Sequence, residues 1–523
     1  MRLLFWRRKV KASRTQKSIT NTVVSFASQL ILILLGFISR RVLIYSVGVE
    51  YLGINGLMSN ILTVFSLAES GIGLAIGYAL YKPLAENDIE KIKSLMRFFR
   101  TTYRALALMT AVIGLAFYPF LPFFLKDNTA PNANIIYLMF LTSSVASYLW
   151  VYKSTLNSSD QNKYLYTIAN TITQIAILIL KIVILYFTEN YILYLSIEIG
   201  STIIKNLIFS VIVDRRYPYL KEKNVQKLDP VTKKHLFTNI KALFFGKIGH
   251  ILSQCSDNLV ISSIVSVTAV GLYSNYTTLI SSVSGFVTTF SGGVTASMGN
   301  LIASESKERA YEVYKRIDFI NFWLYTFSSI CLLCLTEPFI RIWLGEAYVL
   351  PKGILVVAVV TFYLRGINSA IDVAKNAAGL YHPDRYVPML EAGLNLLISI
   401  VLAHHIGLLG VLLGTLISFC VFSFWTKPYF VYRDVFCVPY AKYVAWEGKK
   451  ILIAFILGVA IYAGTSFLSF GNIYLDFACK ALFALAASNL LLVVFFHNTD
   501  EFGYIKSFVS GAFMKCKKIF SRH

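Results

Sequence analysis

Charged residues are scarce in this chain of 523 residues: Asp, Glu, Lys and Arg make up 15% of it, against about a quarter in an average soluble domain. Hydrophobic residues account for 56%, and the mean hydropathy is +0.63. This composition excludes an intrinsically disordered chain and argues against a soluble globular protein. The apolar excess is typical of a protein whose helices lie in lipid.

Acidic residues are rarer than basic ones. There are 27 Asp and Glu against 49 Lys and Arg, which gives a formal charge of +22. In a soluble domain this excess would indicate a nucleic-acid partner. In a chain this apolar we expect the basic residues in loops on the cytoplasmic side of a membrane, and no nucleic-acid partner.

Catalytic and metal-binding patterns are missing as well. The sequence has no Walker A pattern, which excludes ATP hydrolysis by this chain, and its loops are too short for a folded catalytic domain. The seven cysteines are scattered. Cys331 and Cys334 have redox or metal spacing, but no His or acid stands beside them in their apolar segment, so we expect them to pack structurally. The sequence predicts neither an enzyme nor a metal site.

Long apolar segments, by contrast, fill the chain. The first follows seven basic residues and is too long for a signal peptide, so we interpret it as an uncleaved helix with its N-terminus in the cytoplasm. At about 1.5 Å per residue, each segment can cross about 30 Å of hydrocarbon. Fourteen spans are predicted, over residues 18–46, 51–81, 103–125, 132–156, 164–187, 190–213, 240–265, 268–303, 318–336, 352–376, 386–404, 407–433, 451–470 and 474–497.

The distribution of basic residues tests this count. With fourteen spans both termini lie inside, 39 of the 49 basic residues lie in inside segments, and three lie in outside loops. One missed helix would invert every later loop, so the asymmetry supports the topology. It predicts a multi-pass membrane protein with both termini in the cytoplasm.

The longest inside loop divides the chain. We expect an N-terminal lobe over 1–213 with spans 1 to 6, a basic cytoplasmic linker over 214–240, and a C-terminal lobe over 241–433 with spans 7 to 12. Residues 434–523 hold two extra spans and a basic tail. A weak repeat, in which Gly53 aligns with Gly271, indicates two related halves, although chance similarity of apolar helices also explains it.

Residues 90–100 place apolar side chains on one face and cations on the other. Two interpretations are open: a helix on the inner membrane surface, or a helical continuation of the third span.

Several ionisable residues fall inside predicted spans, where a charge is costly unless it faces water or a partner. Arg365 and Asp257 are the strongest candidates, because Arg cannot lose its proton and Asp257 has no cation near it in its own helix. Lys181 could instead snorkel outward, and Lys375 could lie at the interface. The cations in the predicted spans indicate an anionic substrate. They are Arg40, Arg41, Lys181, Lys205, Lys247, Arg365 and Lys375. The acids could neutralise them or carry H⁺ or Na⁺, and are Glu69, Glu198, Asp257, Asp372 and Glu391.

Four segments carry a resemblance to a known family. They are Phe37-Ile38-Ser39-Arg40-Arg41, Gly53-Ile54-Asn55-Gly56-Leu57, Leu67-Ala68-Glu69-Ser70-Gly71-Ile72-Gly73 and Tyr81-Lys82-Pro83-Leu84-Ala85. They resemble the opening of bacterial polysaccharide flippases of the Wzx type, in the multidrug/oligosaccharidyl-lipid/polysaccharide (MOP) exporter superfamily. Ser256-Asp257-Asn258 with Val270-Gly271-Leu272-Tyr273-Ser274 resembles the start of that family's second bundle.

The resemblance implies an all-α, MATE-like fold with about fourteen membrane helices in two lobes around a central cationic cavity. It implies alternating-access transfer of an undecaprenyl-pyrophosphate-linked oligosaccharide from the inner to the outer leaflet, for capsule, O-antigen or exopolysaccharide synthesis. It implies no cofactor beyond H⁺ or Na⁺ as coupling ion. The partners would be membrane lipids, the lipid-linked oligosaccharide, a polysaccharide polymerase and other assembly proteins.

Two other functions stay open. A cation-coupled multidrug exporter of the same superfamily would need an acidic, apolar cavity. A membrane-embedded glycosyltransferase or polymerase would need a sizeable outer loop with catalytic acids or arginines, and the longest outer loop, 337–351, holds only Glu337, Arg341 and Glu346.

Overall fold

The computed structural model describes residues 14–66, 69–125, 131–159, 163–222, 225–226, 228–380, 383–503 and 506. Some side chains within helices lie outside the description, chiefly those of 14–26, 163–169, 241–248 and 289–297. All the regular structure in the described ranges is helical.

Nineteen α-helices form the described chain. Pro230–Val260 continues into a π-helical turn at Ile261–Val265, and a second π-helical turn follows at Val431–Phe436. The helices are α1 Arg14–Val47, α2 Val49–Phe65, α3 Glu69–Glu86, α4 Ile89–Phe117, α5 Leu121–Phe124, α6 Ala133–Tyr148, α7 Val151–Ser159, α8 Lys163–Thr188, α9 Tyr191–Arg216, α10 Pro230–Val260, α11 Val267–Ser304, α12 Lys307–Trp343, α13 Lys352–Ile367, α14 Ser369–Ala377, α15 Val387–Ile406, α16 Leu408–Val421, α17 Ser423–Phe430, α18 Tyr440–Ser466 and α19 Ile473–Phe496.

Each of the fourteen predicted spans coincides with one or two of these helices, so the all-α membrane architecture is confirmed. By length and apolar composition alone, nine helical segments of the described chain can cross a membrane. Two shorter apolar helices, Ala133–Tyr148 and Cys255–Val265, accompany them. The count by composition is smaller than fourteen partly because a predicted span can be shared by two helices, as 51–81 is by α2 and α3.

The first compact unit comprises the described residues of Met1–Gly48, Ala68–Ala116 and Asn132–Lys241. Helix α1 packs on α8, α3 on α7, and α9 on both α6 and α8. The apolar face of residues 90–100, including Leu95 and Phe99, is buried in this unit's core. The segment belongs to the uninterrupted helix α4, which is the second of the two interpretations given above.

The second unit comprises the described residues of Val49–Leu67, Phe117–Pro131 and Ala242–His523. Here the two glycines aligned by the weak repeat meet, because α2 packs on α11. A Cβ atom added to Gly53 would lie 2.1 Å from the Val267 carbonyl oxygen, and one added to Gly271 would lie 2.3 Å from that of Val49. Only glycine permits this approach of two helix backbones.

The lobe boundaries at 213, 241 and 434 stay a prediction.

Two membrane helices of the second unit are broken. Helix α13 ends at Ile367 and α14 begins at Ser369, while α16 ends at Val421 and α17 begins at Ser423. Asn368 lies at the first break, and its side-chain amide donates to the carbonyl oxygen of Ser423 at the second, over 3.3 Å. Non-helical backbone in a membrane has to be satisfied by protein groups or water, and breaks of this kind are found near transporter binding sites.

Candidate functional site

The second unit contains a cavity of about 450 Å³ between α10, α11, α12, α13 and α16. Two residues of opposite charge, Arg365 and Asp257, line it. The rest of the wall mixes hydroxyl groups with apolar and aromatic side chains: Tyr273, Thr277, Ile280, Ser281, Ser284, Tyr325, Ala358, Thr361, Phe362, Gly366, Leu412 and Thr415. Such a wall can accept a polar ligand in a bundle that is otherwise apolar.

Arg365 lies in the last turn of α13, where the helix dipole favours a cation. Its Nη2 atom lies 3.5 Å from Oε1 of Glu391, a long contact for an ion pair. The guanidinium carbon is 5.4 Å from the centre of the Phe419 ring. The buried Nε atom has no hydrogen-bond partner among the described residues, and 32% of the side chain is exposed. Arg365 therefore retains donors for a ligand.

Glu391 is held from its other side. Ser423 Oγ donates a short hydrogen bond to Oε2, and the residue as a whole is buried. Because Ser423 is the first residue of α17, this carboxylate connects the arginine at the end of α13 with the broken α16–α17 pair. The helix breaks thus fix the position of the cation.

Asp257 is oriented by neutral groups. Thr415 Oγ1 lies 2.8 Å from Oδ2 and 3.0 Å from Oδ1, and Asn395 Nδ2 donates to the same threonine oxygen over 2.8 Å. Among the described residues no cation lies within ion-pair distance of this carboxylate. Its helix passes into the π-helical turn Ile261–Val265 four residues later, a distortion that often accompanies functional sites.

The end of α13 is also supported from α12. Asn321 Nδ2 donates to the carbonyl oxygens of Gly366 and Ile367 over 2.7 and 3.3 Å. A Cβ atom at Gly366 would lie 2.0 Å from Cδ1 of Tyr325, so this glycine allows the cavity-lining ring to pack on the helix. Asn321 was not identified from the sequence; an amide in the middle of an apolar segment was the available signal.

The other predicted residues of the second unit are mostly neutralised locally. Lys375 makes a short ion pair with the buried Asp384, and Asp372 accepts from Lys427 Nζ over 2.9 Å. The helix break at Asn368 separates Asp372 from Arg365, so their seven-residue spacing does not lie within one continuous helix. The Lys247 side chain lies outside the described residues.

In the first unit, Lys181 and Glu198 form an ion pair of 2.7 Å between α8 and α9. The Lys181 ammonium also lies 4.0 Å from the centre of the Tyr194 ring, and 9% of its side chain is exposed. This lysine is therefore buried against partners within its unit rather than snorkelling outward.

The remaining predicted residues of the first unit lie on α1, α3 and α9. Arg40 is half-buried on α1, while Arg41 is exposed with its guanidinium carbon 5.6 Å from the centre of the Tyr45 ring. Lys205 is half-buried on α9 and forms no hydrogen bond or ion pair with a described residue. Glu69 is the first residue of α3 and is half-buried.

A second cluster of charges was not predicted from the sequence. Lys450 Nζ lies 2.6 Å from Asp318 Oδ2 and 2.5 Å from Glu447 Oε1, with all three residues buried. Trp446 Nε1 donates to Asp318 over 3.1 Å. The predicted span 451–470 leaves Glu447 and Lys450 in an inside segment, whereas α18 begins at Tyr440. Their spacing of three residues before a long apolar run was the signal for a helix that starts earlier.

The profile of the family described as "Polysaccharide biosynthesis protein" matches residues 18–296, more than half of the chain. The chain belongs to this family. No significant match was found among curated proteins.

Solved structures similar to the chain are membrane transporters. A lipid II flippase, MurJ, in an inward closed conformation superposes with a TM-score of 0.62 at 14% identity, over 92% of this chain and 99% of that one. An inward-facing multidrug resistance MATE family transporter of the MOP superfamily gives 0.57 at 12% identity, over 76% and 95%. The Vibrio cholerae MATE transporter VcmN gives 0.53 at 18% identity, over 83% and 100%. These similarities establish the MOP fold.

Family and fold together identify the protein as a multi-pass membrane flippase or exporter of the MOP superfamily. The Wzx-type specificity stays a proposal.

Proposed function

We propose that the protein is a flippase that moves an undecaprenyl-pyrophosphate-linked oligosaccharide from the inner to the outer leaflet of the bacterial cytoplasmic membrane. The product would serve capsule, O-antigen or exopolysaccharide synthesis. The observation that carries this proposal is Arg365, a permanently charged and partly exposed side chain in a polar cavity of a polysaccharide biosynthesis protein.

A pyrophosphate needs cationic donors to cross a region of low dielectric constant. A guanidinium binds phosphate oxygens through two parallel hydrogen bonds. Because the contact between Arg365 and Glu391 is long, Arg365 can release Glu391 and bind a phosphate instead. In this proposal the headgroup binds at Arg365, the sugars follow the hydroxyl groups of the wall, and the polyprenyl chain stays in lipid. Tyr273 lines the same wall.

The cavity region holds one cation and two acids, Asp257 and Glu391, so an anion binds there more strongly once an acid is neutralised. We assign this role to Asp257: a proton or Na⁺ on its carboxylate would remove the repulsion between Asp257 and the headgroup. The coupling ion and the substrate would then bind cooperatively.

The other cations would act at other stages of transfer. Lys205 would receive the headgroup directly, and Arg40, Arg41 and Lys247 would add positive charge along its path. Lys181 and Lys375 would first have to leave Glu198 and Asp384. Residues 1–213 and 241–433 would be the two moving lobes, with both termini in the cytoplasm. A polymerase and other assembly proteins would use the product.

The test is reconstitution of the purified full chain in proteoliposomes. The proposal predicts protein-dependent exposure of a fluorescent undecaprenyl-pyrophosphate oligosaccharide on the opposite leaflet, and no accumulation of cationic drugs under an H⁺ or Na⁺ gradient. Drug accumulation without lipid transfer would instead identify a multidrug exporter and overturn the proposal.

A further inference from the structure

The first unit has a cavity of its own, of about 660 Å³, which no predicted site residue lines. Its wall comes from the beginning of α4, the ends of α6 and α9, the beginning of α7 and the segment after α9. Three segments that the charge rule places inside, at 82–104, 153–163 and 215–241, thus contribute to one cavity. Six of the lining residues are cations, and two are acids.

Four of the cations form a stripe on α4. Lys93, Arg97, Arg100 and Arg104 are spaced by four, three and four residues, which places them on one face of the helix. The opposite face, with Leu95 and Phe99, is buried in the core of the unit. Because that core fixes the helix, the cations are held on the cavity wall without a ligand.

Two of the six cations are already neutralised. Lys93 Nζ lies 2.5 Å from Glu90 Oε1 and 2.6 Å from Glu222 Oε2, and Lys153 Nζ lies 2.7 Å from Asp214 Oδ1. These pairs join α4 and α7 to the end of α9 and the segment that follows it. They account for both acids in the wall, so they leave no lining acid for the remaining cations.

The remaining arginines are available. Arg97 donates to the carbonyl oxygen of Val225 over 2.8 Å, which retains its full charge. Arg100 and Arg104 are exposed and form no hydrogen bond or ion pair with a described residue. A concave wall with surplus cations concentrates positive potential and attracts anions. Trp150 and Tyr152 add aromatic surface to the same wall, which suits a ligand with both charged and apolar parts.

We propose that this cavity binds the phosphate-bearing headgroup of a membrane lipid, with Arg100 and Arg104 as the principal ligands. Guanidinium groups match the geometry of phosphate oxygens, and α4 continues beyond its cationic stripe to Phe117, within the candidate membrane span Ile89–Phe124. A lipid whose headgroup sits at the stripe can lay its chains along that segment. An exposed apolar row on α4, including Leu108, Val112 and Leu115, leads away from it.

The headgroup could belong to an anionic phospholipid or to a polyprenyl pyrophosphate awaiting transfer. The second source rests on the proposed function, and the first does not. Both use the same phosphate chemistry, so the experiment separates them by using one lipid at a time.

Native mass spectrometry of the full chain would count bound phosphatidylglycerol, undecaprenyl pyrophosphate or the zwitterionic control phosphatidylcholine. The test variant is R100Q/R104Q. Its matched control is R215Q/R216Q, which removes the same charge from the exposed last turn of α9, where neither residue lines the cavity. Loss of two charge-assisted contacts should weaken binding roughly tenfold or more in the test variant. The control should change it less than about threefold.

Preference for either anionic lipid over phosphatidylcholine, lost only in R100Q/R104Q, supports the proposal, and the preferred lipid identifies the source. Equal affinity for all three lipids, or equal losses in both double variants, would overturn it. Because binding is measured without transfer, failure here leaves the flippase proposal intact. If the chain prefers phosphatidylglycerol and transfers no undecaprenyl-pyrophosphate oligosaccharide, only the flippase proposal is refuted.

Discussion

The second unit places one cation with two acids in two different settings. Arg365 lines an open cavity together with Asp257 and pairs with the buried Glu391, while Lys450, with Asp318 and Glu447, is sealed between α12 and α18. In the open setting the cation is 32% exposed and its ion pair spans 3.5 Å. In the closed setting the cation is 0% exposed and its two pairs span 2.6 and 2.5 Å.

The two settings have the same charge composition and differ in burial and in the distance from the cation to its partners. A lysine with two close carboxylates and no exposure has no donor to offer a ligand. An arginine with one long contact and an unpaired Nε has a donor to offer. The closed cluster and the open cavity should therefore respond differently to substitution.

Lys450→Met should have the largest effect. It leaves Asp318 and Glu447 buried without their cation, which typically costs about 3–5 kcal/mol. We expect a strong fall in the melting temperature and in the yield of folded protein in a thiol-reactive dye assay of the detergent-solubilised protein. Lys449→Met, one residue earlier and exposed, is the control. A Lys450→Met protein as stable as this control would show that the closed cluster is not structural.

Arg365→Ala should abolish most transfer while leaving the fold. Loss of charge-assisted contacts to a phosphate predicts a roughly 10- to 100-fold lower transfer rate. The melting temperature should change little, because the side chain is partly exposed and its ion pair is long. Arg341→Ala removes an equal charge from α12 outside the cavity, where Arg341 pairs with Glu337 and Glu346 over 2.9 Å each. Equal losses in the two variants would remove the assigned role of Arg365.

Asp257→Asn should separate binding from coupling. The amide mimics a neutral carboxylate, so the substrate should bind as well as or better than in the parent chain. Transfer should fall roughly tenfold and lose its dependence on the H⁺ or Na⁺ gradient. The measurement is the transfer rate at several imposed gradients. A variant that still responds to the gradient as the parent does would place the coupling acid elsewhere, and Glu391 would be the next residue to test.

Thr415→Val should have the smallest effect. It removes the hydroxyl that donates to Asp257 and accepts from Asn395, while conserving shape. We expect a stability loss of about 1–3 kcal/mol and a roughly two- to threefold slower transfer, since the carboxylate is less well oriented. Thr361→Val, on the same cavity wall but bonded to its own helix at Val357, is the control. A larger loss in Thr361→Val than in Thr415→Val would contradict the role given to the threonine.

Hydropathy predicted most of the fold, because lipid requires long apolar helices. Arg365 and Asp257 were identifiable as charges that a membrane helix has to accommodate. Their polar partners were not: the Asn321 and Ser423 contacts depend on helix breaks that neither Gly nor Pro marks at Asn368. Lys450 was missed because its helix begins eleven residues before the apolar run, at Tyr440. Pairing between a helix and a turn, as between Lys375 of α14 and Asp384 just before α15, cannot be read from spacing alone.

The most direct test of the central claim is the initial rate at which an undecaprenyl-pyrophosphate oligosaccharide changes leaflets in proteoliposomes containing Arg365→Lys, Arg365→Ala or the parent chain. The account predicts a graded loss, with Lys keeping part of the rate because it keeps the charge but not the paired hydrogen bonds. Unchanged rates in both variants, at equal amounts of folded protein, would contradict it.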